Sequence, residues 1–254
     1  MKEEVFALHS ELESVHWWFV SRRKILLPLI HRVMSNTPGD MIVDVGCGTG
    51  GTVANFHNDF NCIGIDPSKS AIEKARAAYP SCQFICGHAP DDLGDIKDRT
   101  ALYLLMDVLE HIEDDRKFLA DLVAHARPGS HFLITVPAHM ALWSQHDETA
   151  LHVRRYEFDP FRLLWSGLPV QPLLVSFFNA RLYPAIWMAR KIGNLLGITF
   201  GSDGTDLGIP PAPVNSFLKT IFSGESERIT QLLDNPKARP YSNGVSLLCL
   251  LRRS

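Results

Sequence analysis

An apolar strand that ends in a carboxylate and runs straight into a glycine-dense turn constrains this chain more than any other feature. The stretch is Val43 to Thr52, VDVGCGTGGT. Gly46, Gly48 and Gly50 let the backbone bend tightly and let a ligand approach amides that a side chain would shield. This is the nucleotide-binding corner of an α/β domain. A second apolar run, Cys62-Ile63-Gly64-Ile65, ends at Asp66, roughly the separation at which an acid receives a ribose hydroxyl pair in such folds. Gly46, Gly48 and Gly51 also satisfy the dinucleotide pattern GxGxxG, which alone is a weak signal.

Charge separates the two cofactors that share this scaffold. A dinucleotide presents a pyrophosphate to the helix N-terminus, whereas S-adenosylmethionine presents a sulfonium and an ammonium, which need acceptors and carboxylates. Asp44 before the turn and Asp107 after a later apolar strand supply them, and neither has an evident role beside a pyrophosphate. On four motifs in order, VDVGCGTG, IGIDPS, LLMDVLEHIEDD and ARPGSHFLITVPA, the chain resembles the class I S-adenosylmethionine-dependent methyltransferases over roughly residues 40 to 137.

The resemblance implies a Rossmann-like, seven-stranded, mostly parallel sheet with an antiparallel last strand and helices on both faces. It implies S-adenosylmethionine as cofactor and S-adenosylhomocysteine as product. By the same resemblance Gly46, Cys47, Gly48 and Gly50 lie against the methionine tail, and Asp44 orients that loop or meets the ammonium. Asp66 holds the ribose hydroxyls and Pro67 flanks the adenosine together with Ser68. His88 and Ala89 stand where the family contacts adenine, with Asp91 and Asp92 just beyond. Met106, Asp107 and Val108 line the cofactor.

Methyl transfer is an in-line displacement with a neutral thioether leaving group, so the protein must align the nucleophile and exclude water. His111 follows the fourth strand near the expected methyl position and is a candidate base. Glu110 beside it stands to orient the ring or, by resemblance to some quinone-type relatives, to share a metal with it, and the bland reading is that both shape the turn; no metal is assigned. A second polar cluster, WSQHDETALHVRRYE from Trp143 to Glu157, is dense for a mere connector. Together with an early His-Trp-Trp-Phe (His16 to Phe19) followed by Arg22-Arg23, it is similar to a bacterial subgroup of small-molecule and glycolipid-type methyltransferases. His146 or His152 is then expected at the nucleophile and Arg154 or Arg155 at an anionic acceptor group, against an internal salt-bridge network as the structural alternative. His16 to Phe19 are read either as a lid over the cofactor or as ordinary core.

The rest of the chain bounds this reading. It has 254 residues, 46% of them hydrophobic, enough for one large α/β domain. The formal net charge is −3 with no basic stripe, which argues against a nucleic-acid substrate. Cysteines 47, 62, 82, 86 and 249 lack CxxC spacing and read as buried thiols in a reducing compartment. No secretory signal follows Met-Lys-Glu-Glu, so a cytoplasmic location is expected. The longest apolar run, Leu182 to Phe200, is broken by Arg190, Lys191 and Asn194, which excludes a span but leaves contact with a membrane surface open.

Short apolar runs predict strands at Met41–Val45, up to Asp66, Gln83–Cys86, Ala101–Met106, His131–Val136, Leu173–Phe177 and Val245–Leu251. Helices are expected over Lys2–Met34 (one or two), Ser68–Tyr79, Asp114–Ala126, Pro160–Leu168, Leu182–Leu196 and Val214–Leu233. The division expected is one domain over 1–254, with an N-terminal helical lid at 1–38, the cofactor-binding core at 39–178, a helical insertion at 179–243 and the last strand at 244–254. The insertion, with Trp187, Met188, Phe217 and Phe222, is expected to wall an apolar acceptor cavity, to form a homodimer, or to touch a membrane carrying a lipid-linked substrate. The function expected is methyl transfer to a small-molecule or lipid- or glycan-linked acceptor, at oxygen. A nicotinamide-dependent oxidoreductase, a protein methyltransferase and a non-catalytic cofactor binder stay open at this point.

Overall fold

The computed structural model describes residues 11–37, 39–196, 208–235 and 237–254. Strands β1 (Met41–Val45), β4 (Thr100–Met106) and β5 (His131–Pro137) are buried along their whole length, which is why they read as unbroken apolar runs rather than alternating ones. With β2 (Asn61–Asp66), β3 (Gln83–Cys86), β6 (Val170–Phe178) and β7 (Ser246–Arg253) they form one sheet in the order β3-β2-β1-β4-β5-β7-β6. The first five strands pair in parallel, and β7 runs antiparallel to both β5 and β6. This is the Rossmann-like architecture expected. All five parallel strands point their C-terminal ends at one edge, where ligands bind in open α/β sheets.

Two apolar layers cover the sheet. Val43, Val45, Tyr103, Leu105, Phe132 and Ile134 face Leu119, Leu122 and Val123 of helix α4 (Asp115–His125). Ile42, Leu102, Leu104, Leu133 and Leu248 face Ile25, Leu26, Leu29 and Ile30 of helix α1 (Trp17–Met34). Between these helices in sequence lie α2 (Gly51–Phe56) and α3 (Lys69–Ala78), the latter capped by Ser68, whose hydroxyl accepts the Ala71 amide at 3.2 Å. Pro28 lies inside α1 and cannot donate to the Lys24 carbonyl one turn back; the Ser226 hydroxyl donates to that carbonyl instead, at 3.1 Å.

Several expected boundaries change. The loop after β5 contains a helix, α5 (Gln145–Ala150), opened by a capping box between Ser144 and Asp147. The next helix, α6, is Phe158–Leu163, earlier and shorter than expected, because the chain turns at Gly167 with φ +80°. Within the insertion, α7 is Tyr183–Leu196, but the expected single helix 214–233 is two: α8 (Ala212–Ser223) and α9 (Ser226–Asp234). They break where Glu225 is wholly buried and accepts the Arg181 amide at 2.8 Å. Of the expected N-terminal helix, residues 2–10 lie outside the described residues, as does 201–207 of the insertion loop.

Candidate functional site

A cavity of about 770 Å³ opens at the C-terminal edge of the parallel strands. Its first half is built by the glycine turn. Gly46, Gly48 and Gly50 hold φ of +70°, +53° and +85°, and the Gly46 and Cys47 amides donate to the Ile65 carbonyl at 2.8 and 3.2 Å, which ties the turn to β2. A Cβ on Gly46 would come within 2.8 Å of Val108, and one on Gly50 within 2.6 Å of the Phe84 ring. Asp66 accepts the Gly48 amide at 3.0 Å on one oxygen and the Ser68 amide at 2.8 Å on the other, so it staples the turn to the start of α3 while lining the cavity.

Carboxylates dominate this half. Asp44, Asp66, Asp107 and Glu13 line it, and Arg22 lines it beside them. Burial pushes Asp44 up to about 8, against the opposing charge of Arg22, and burial also raises Glu13, which accepts the Thr49 hydroxyl at 3.1 Å. Asp107, at φ +59°, is paired to Arg22 on one oxygen and accepts the Thr135 hydroxyl on the other at 3.2 Å. Arg22 in turn stacks over Trp18 with 4.3 Å between guanidinium carbon and ring centre. A pocket with this surplus of buried acid fits a nucleoside bearing a sulfonium and an ammonium, and repels a pyrophosphate. Pro67, His88, Ala89, Met106 and Val108 line the same space with Cys47, whose thiol burial raises far above its ordinary range. Asp92 is not among the lining residues; its carboxylate accepts the His88 amide at 2.7 Å.

The second half is lined by imidazoles. The Val153 amide donates to the Glu110 carbonyl at 2.8 Å, docking the post-β5 segment onto the turn after β4. That bond brings His111 and His152 edge to face with ring centres 4.8 Å apart, and His146 lies 6.0 Å from His152. Asp147 organises the group. It is wholly buried, accepts His152 Nδ1 and Arg155 Nε at 2.8 Å each, and accepts the Ser144 amide at 2.9 Å. Burial favours its protonation, but the His152 hydrogen bond and the Arg155 charge outweigh this and hold the carboxyl far below its usual range. Burial, aided by Arg190, lowers His146 to about 3. Arg155 lines the cavity while its Nη1 donates to the Ala138 carbonyl at 3.1 Å; Arg154 is not a lining residue and pairs with Asp115 at 2.6 Å. Glu110 also lines the cavity, fully buried, with neither carboxylate oxygen hydrogen-bonded to a described residue.

His16, Trp17, Trp18 and Phe19 wall the cavity, while the rest of α1 packs on the sheet, so this helix is wall at one end and core at the other. Trp187, Met188 and Phe217 do not wall it: they are 39%, 57% and 64% exposed, and Phe222 is core. The insertion lines the cavity instead through Ile186, Ala189 and Arg190. Glu13 and Asn179 escaped the sequence reading. Asn179 follows β6 at φ +53°, is fully buried, lines the cavity, and has neither side-chain amide atom hydrogen-bonded to a described residue. The tolerance of asparagine for left-handed backbone is the one trace of it in the sequence.

Comparison with known proteins agrees with this geometry. Residues 19–185 match the methyltransferase domain family. Norajmaline N-methyltransferase of Rauvolfia serpentina is 31% identical over 116 residues, covering 42% of this chain and 39% of that protein. The ubiquinone biosynthesis O-methyltransferase of Nitrobacter winogradskyi is 32% identical over 103 residues, covering 39% of each chain. The chain thus spans about two-fifths of the length of these curated relatives. Among solved structures, the plantazolicin methyltransferase BpumL, in complex with a triazolic desmethylPZN analog and SAH, superposes with a TM-score of 0.58 at 15% identity over 98% of this chain and 90% of that one. The [4+2]-cyclase SpnF superposes with a TM-score of 0.53 at 13% identity over 91% of this chain and 80% of that one. With two-thirds of its length inside the match, its glycine turn in left-handed backbone and its acids gathered in one cavity, the chain belongs to the methyltransferase domain family, the S-adenosylmethionine-dependent methyltransferases of class I.

Proposed function

We propose that this protein methylates an oxygen of a small-molecule or lipid-linked acceptor. The observation that carries the reading is a single cavity in which an acid-lined cofactor half continues into an imidazole-lined half. When bound, S-adenosylmethionine supplies an electrophilic methyl group on a sulfonium. The chain supplies position. Asp44 and Asp107 hold the ammonium, Asp66 the ribose hydroxyls, and the amides of Gly46 to Gly50 the methionine tail. Pro67, His88, Ala89, Met106 and Val108 enclose the adenosine. His111 and His152 face the acceptor oxygen, with His146 kept neutral beside them. Arg155 stands at an anionic group of the acceptor while it secures Asp147. The aromatic wall at His16 to Phe19 keeps water from the reacting atoms.

The curated relatives named above methylate nitrogen or oxygen, and a proton-accepting imidazole group favours oxygen, whose hydroxyl must lose a proton. Exposed Met188, Leu195 and Phe217 on the insertion support an acceptor presented by a lipid. The test is incubation with methyl-labelled S-adenosylmethionine and a set of hydroxylated aromatic and glycolipid acceptors. Label in the small-molecule or lipid extract supports the proposal; label confined to precipitated polypeptide contradicts it.

A further inference from the structure

We propose that Asn179 and Trp17 form a subsite for a neutral sugar ring carried by the acceptor, at the end of the cavity away from the methyl donor. The sheet sets the placement. Asn179 comes directly after β6, which lies three strands from β4 in the order β4-β5-β7-β6, about 14 Å at the usual strand spacing. Asp107 and Val108 of the cofactor half come directly after β4. A group held at Asn179 therefore belongs to a different part of the acceptor from the oxygen that receives the methyl. The role of the subsite rests on the methyl-transfer reading; its binding of a sugar is measured apart from it.

The Asn179 amide has the marks of a ligand contact. It is fully buried, it lines the cavity, and neither Oδ1 nor Nδ2 has a hydrogen-bond partner among the described residues, a costly state for buried polar atoms. Its backbone is fixed on both sides. The Val245 amide donates to its carbonyl at 3.4 Å, and the buried Glu225 carboxylate accepts the Arg181 amide at 2.8 Å together with the Ala180 and Asn179 amides. The left-handed backbone at φ +53° does not by itself account for the residue, since glycine adopts it without burying an unpaired amide.

The chemistry of the amide selects its partner. Oδ1 accepts and Nδ2 donates, so a carboxylate would leave Oδ1 unpaired and an ammonium would leave Nδ2 unpaired. Neighbouring hydroxyls on a sugar ring satisfy both. Trp17 supplies the apolar half of such recognition, an aromatic surface against the C–H face of the ring. It lines the same cavity and is carried toward β6 by Phe222, whose ring centre lies 6.0 Å from that of Trp17 and 5.8 Å from that of Phe178, the neighbour of Asn179. Asn215 accepts the Trp17 amide at 2.9 Å, so the helical insertion holds the tryptophan through Asn215 and the asparagine through Glu225. Ile186 and Ala189 of α7 add aliphatic lining.

The test is saturation-transfer NMR on the full-length protein with the methyl glycosides of glucose, galactose and mannose, with and without S-adenosylhomocysteine. Two controls accompany them: 2-methoxytetrahydropyran, the same ring stripped of hydroxyls, and N-methylacetamide, a neutral group that also donates and accepts. Saturable binding of at least one glycoside is expected, with the hydroxyl-free ring at least about tenfold weaker because it leaves the amide unpaired. Asn179→Gly keeps the left-handed backbone and removes the amide, and should weaken the glycoside at least about tenfold, the loss of two neutral hydrogen bonds. Asn179→Asp, which keeps the shape and loses the donor, and Trp17→Leu should weaken it in the same direction, with an unchanged circular-dichroism spectrum certifying the fold of each variant. Absence of glycoside binding overturns the proposal, as does binding undiminished in a folded Asn179 or Trp17 variant, or N-methylacetamide binding in place of every glycoside. Glycoside binding by a protein that does not bind S-adenosylhomocysteine would strike the cofactor reading and leave the subsite standing; S-adenosylhomocysteine binding without any glycoside would strike the subsite alone.

Discussion

Asp44 and Arg22 carry the strongest electrostatic consequences at the scale of single residues. With burial raising Asp44 to about 8, its carboxyl is mostly protonated at pH 6.5 in the ligand-free protein. An arriving ammonium favours the ionised form, so cofactor binding lowers that pKa and expels a proton. Affinity linked to this group therefore rises as pH increases from about 6 toward 8. Calorimetry at pH 6.5 in two buffers of different ionisation enthalpy should show most of one proton released per S-adenosylhomocysteine, and Asp44→Asn should abolish the release. Arg22 lines the cofactor half beside its acids, so it is the expected partner of the cofactor carboxylate. Arg22→Ala should weaken S-adenosylhomocysteine roughly 10–100-fold, the loss of one charge-assisted hydrogen bond, and leave 5′-methylthioadenosine, which lacks the amino-acid tail, unchanged. An equal loss for both ligands would assign Arg22 to folding instead. The left-handed glycine turn and the position of Asp66 at the end of β2 were readable from the sequence because they follow from local backbone geometry. Glu13 and Asn179 were not, because each depends on where tertiary packing carries a helix or strand end.

At the scale of elements, the same distinction explains what the periodicity revealed. Buried strands β1, β4 and β5 announce themselves as apolar runs, so the sheet was legible. The break between α8 and α9 was not, since residues 214–233 keep a helical rhythm and the interruption comes from Glu225 folding back onto the Arg181 amide. The insertion also completes α1, whose Lys24 carbonyl takes its hydrogen bond from Ser226 because Pro28 has no N–H to give. Ser226→Ala should therefore destabilise the protein by about 1 kcal/mol in chemical denaturation. In a Pro28→Ala background, where the helix supplies its own donor, the same substitution should cost a few tenths of a kcal/mol. Equal costs in both backgrounds would show that the Ser226 bond does not compensate for Pro28.

At the scale of the molecule, one cavity gathers residues from α1, the glycine turn, the ends of β2 to β6, the post-β5 segment and α7. That convergence is what the proposed two-substrate transfer requires: acids line one end, imidazoles line the other, and Trp17, Trp18 and Phe19 stand in the wall. No helix among the described residues is long and apolar enough to cross a membrane. Everything proposed for the acceptor depends on the cofactor half being what its charge says it is. The most direct test is calorimetric titration of the purified protein with S-adenosylhomocysteine and, separately, with NADH. Saturable binding of S-adenosylhomocysteine at one per chain, with none of NADH, is the predicted result; binding of NADH alone would contradict the account.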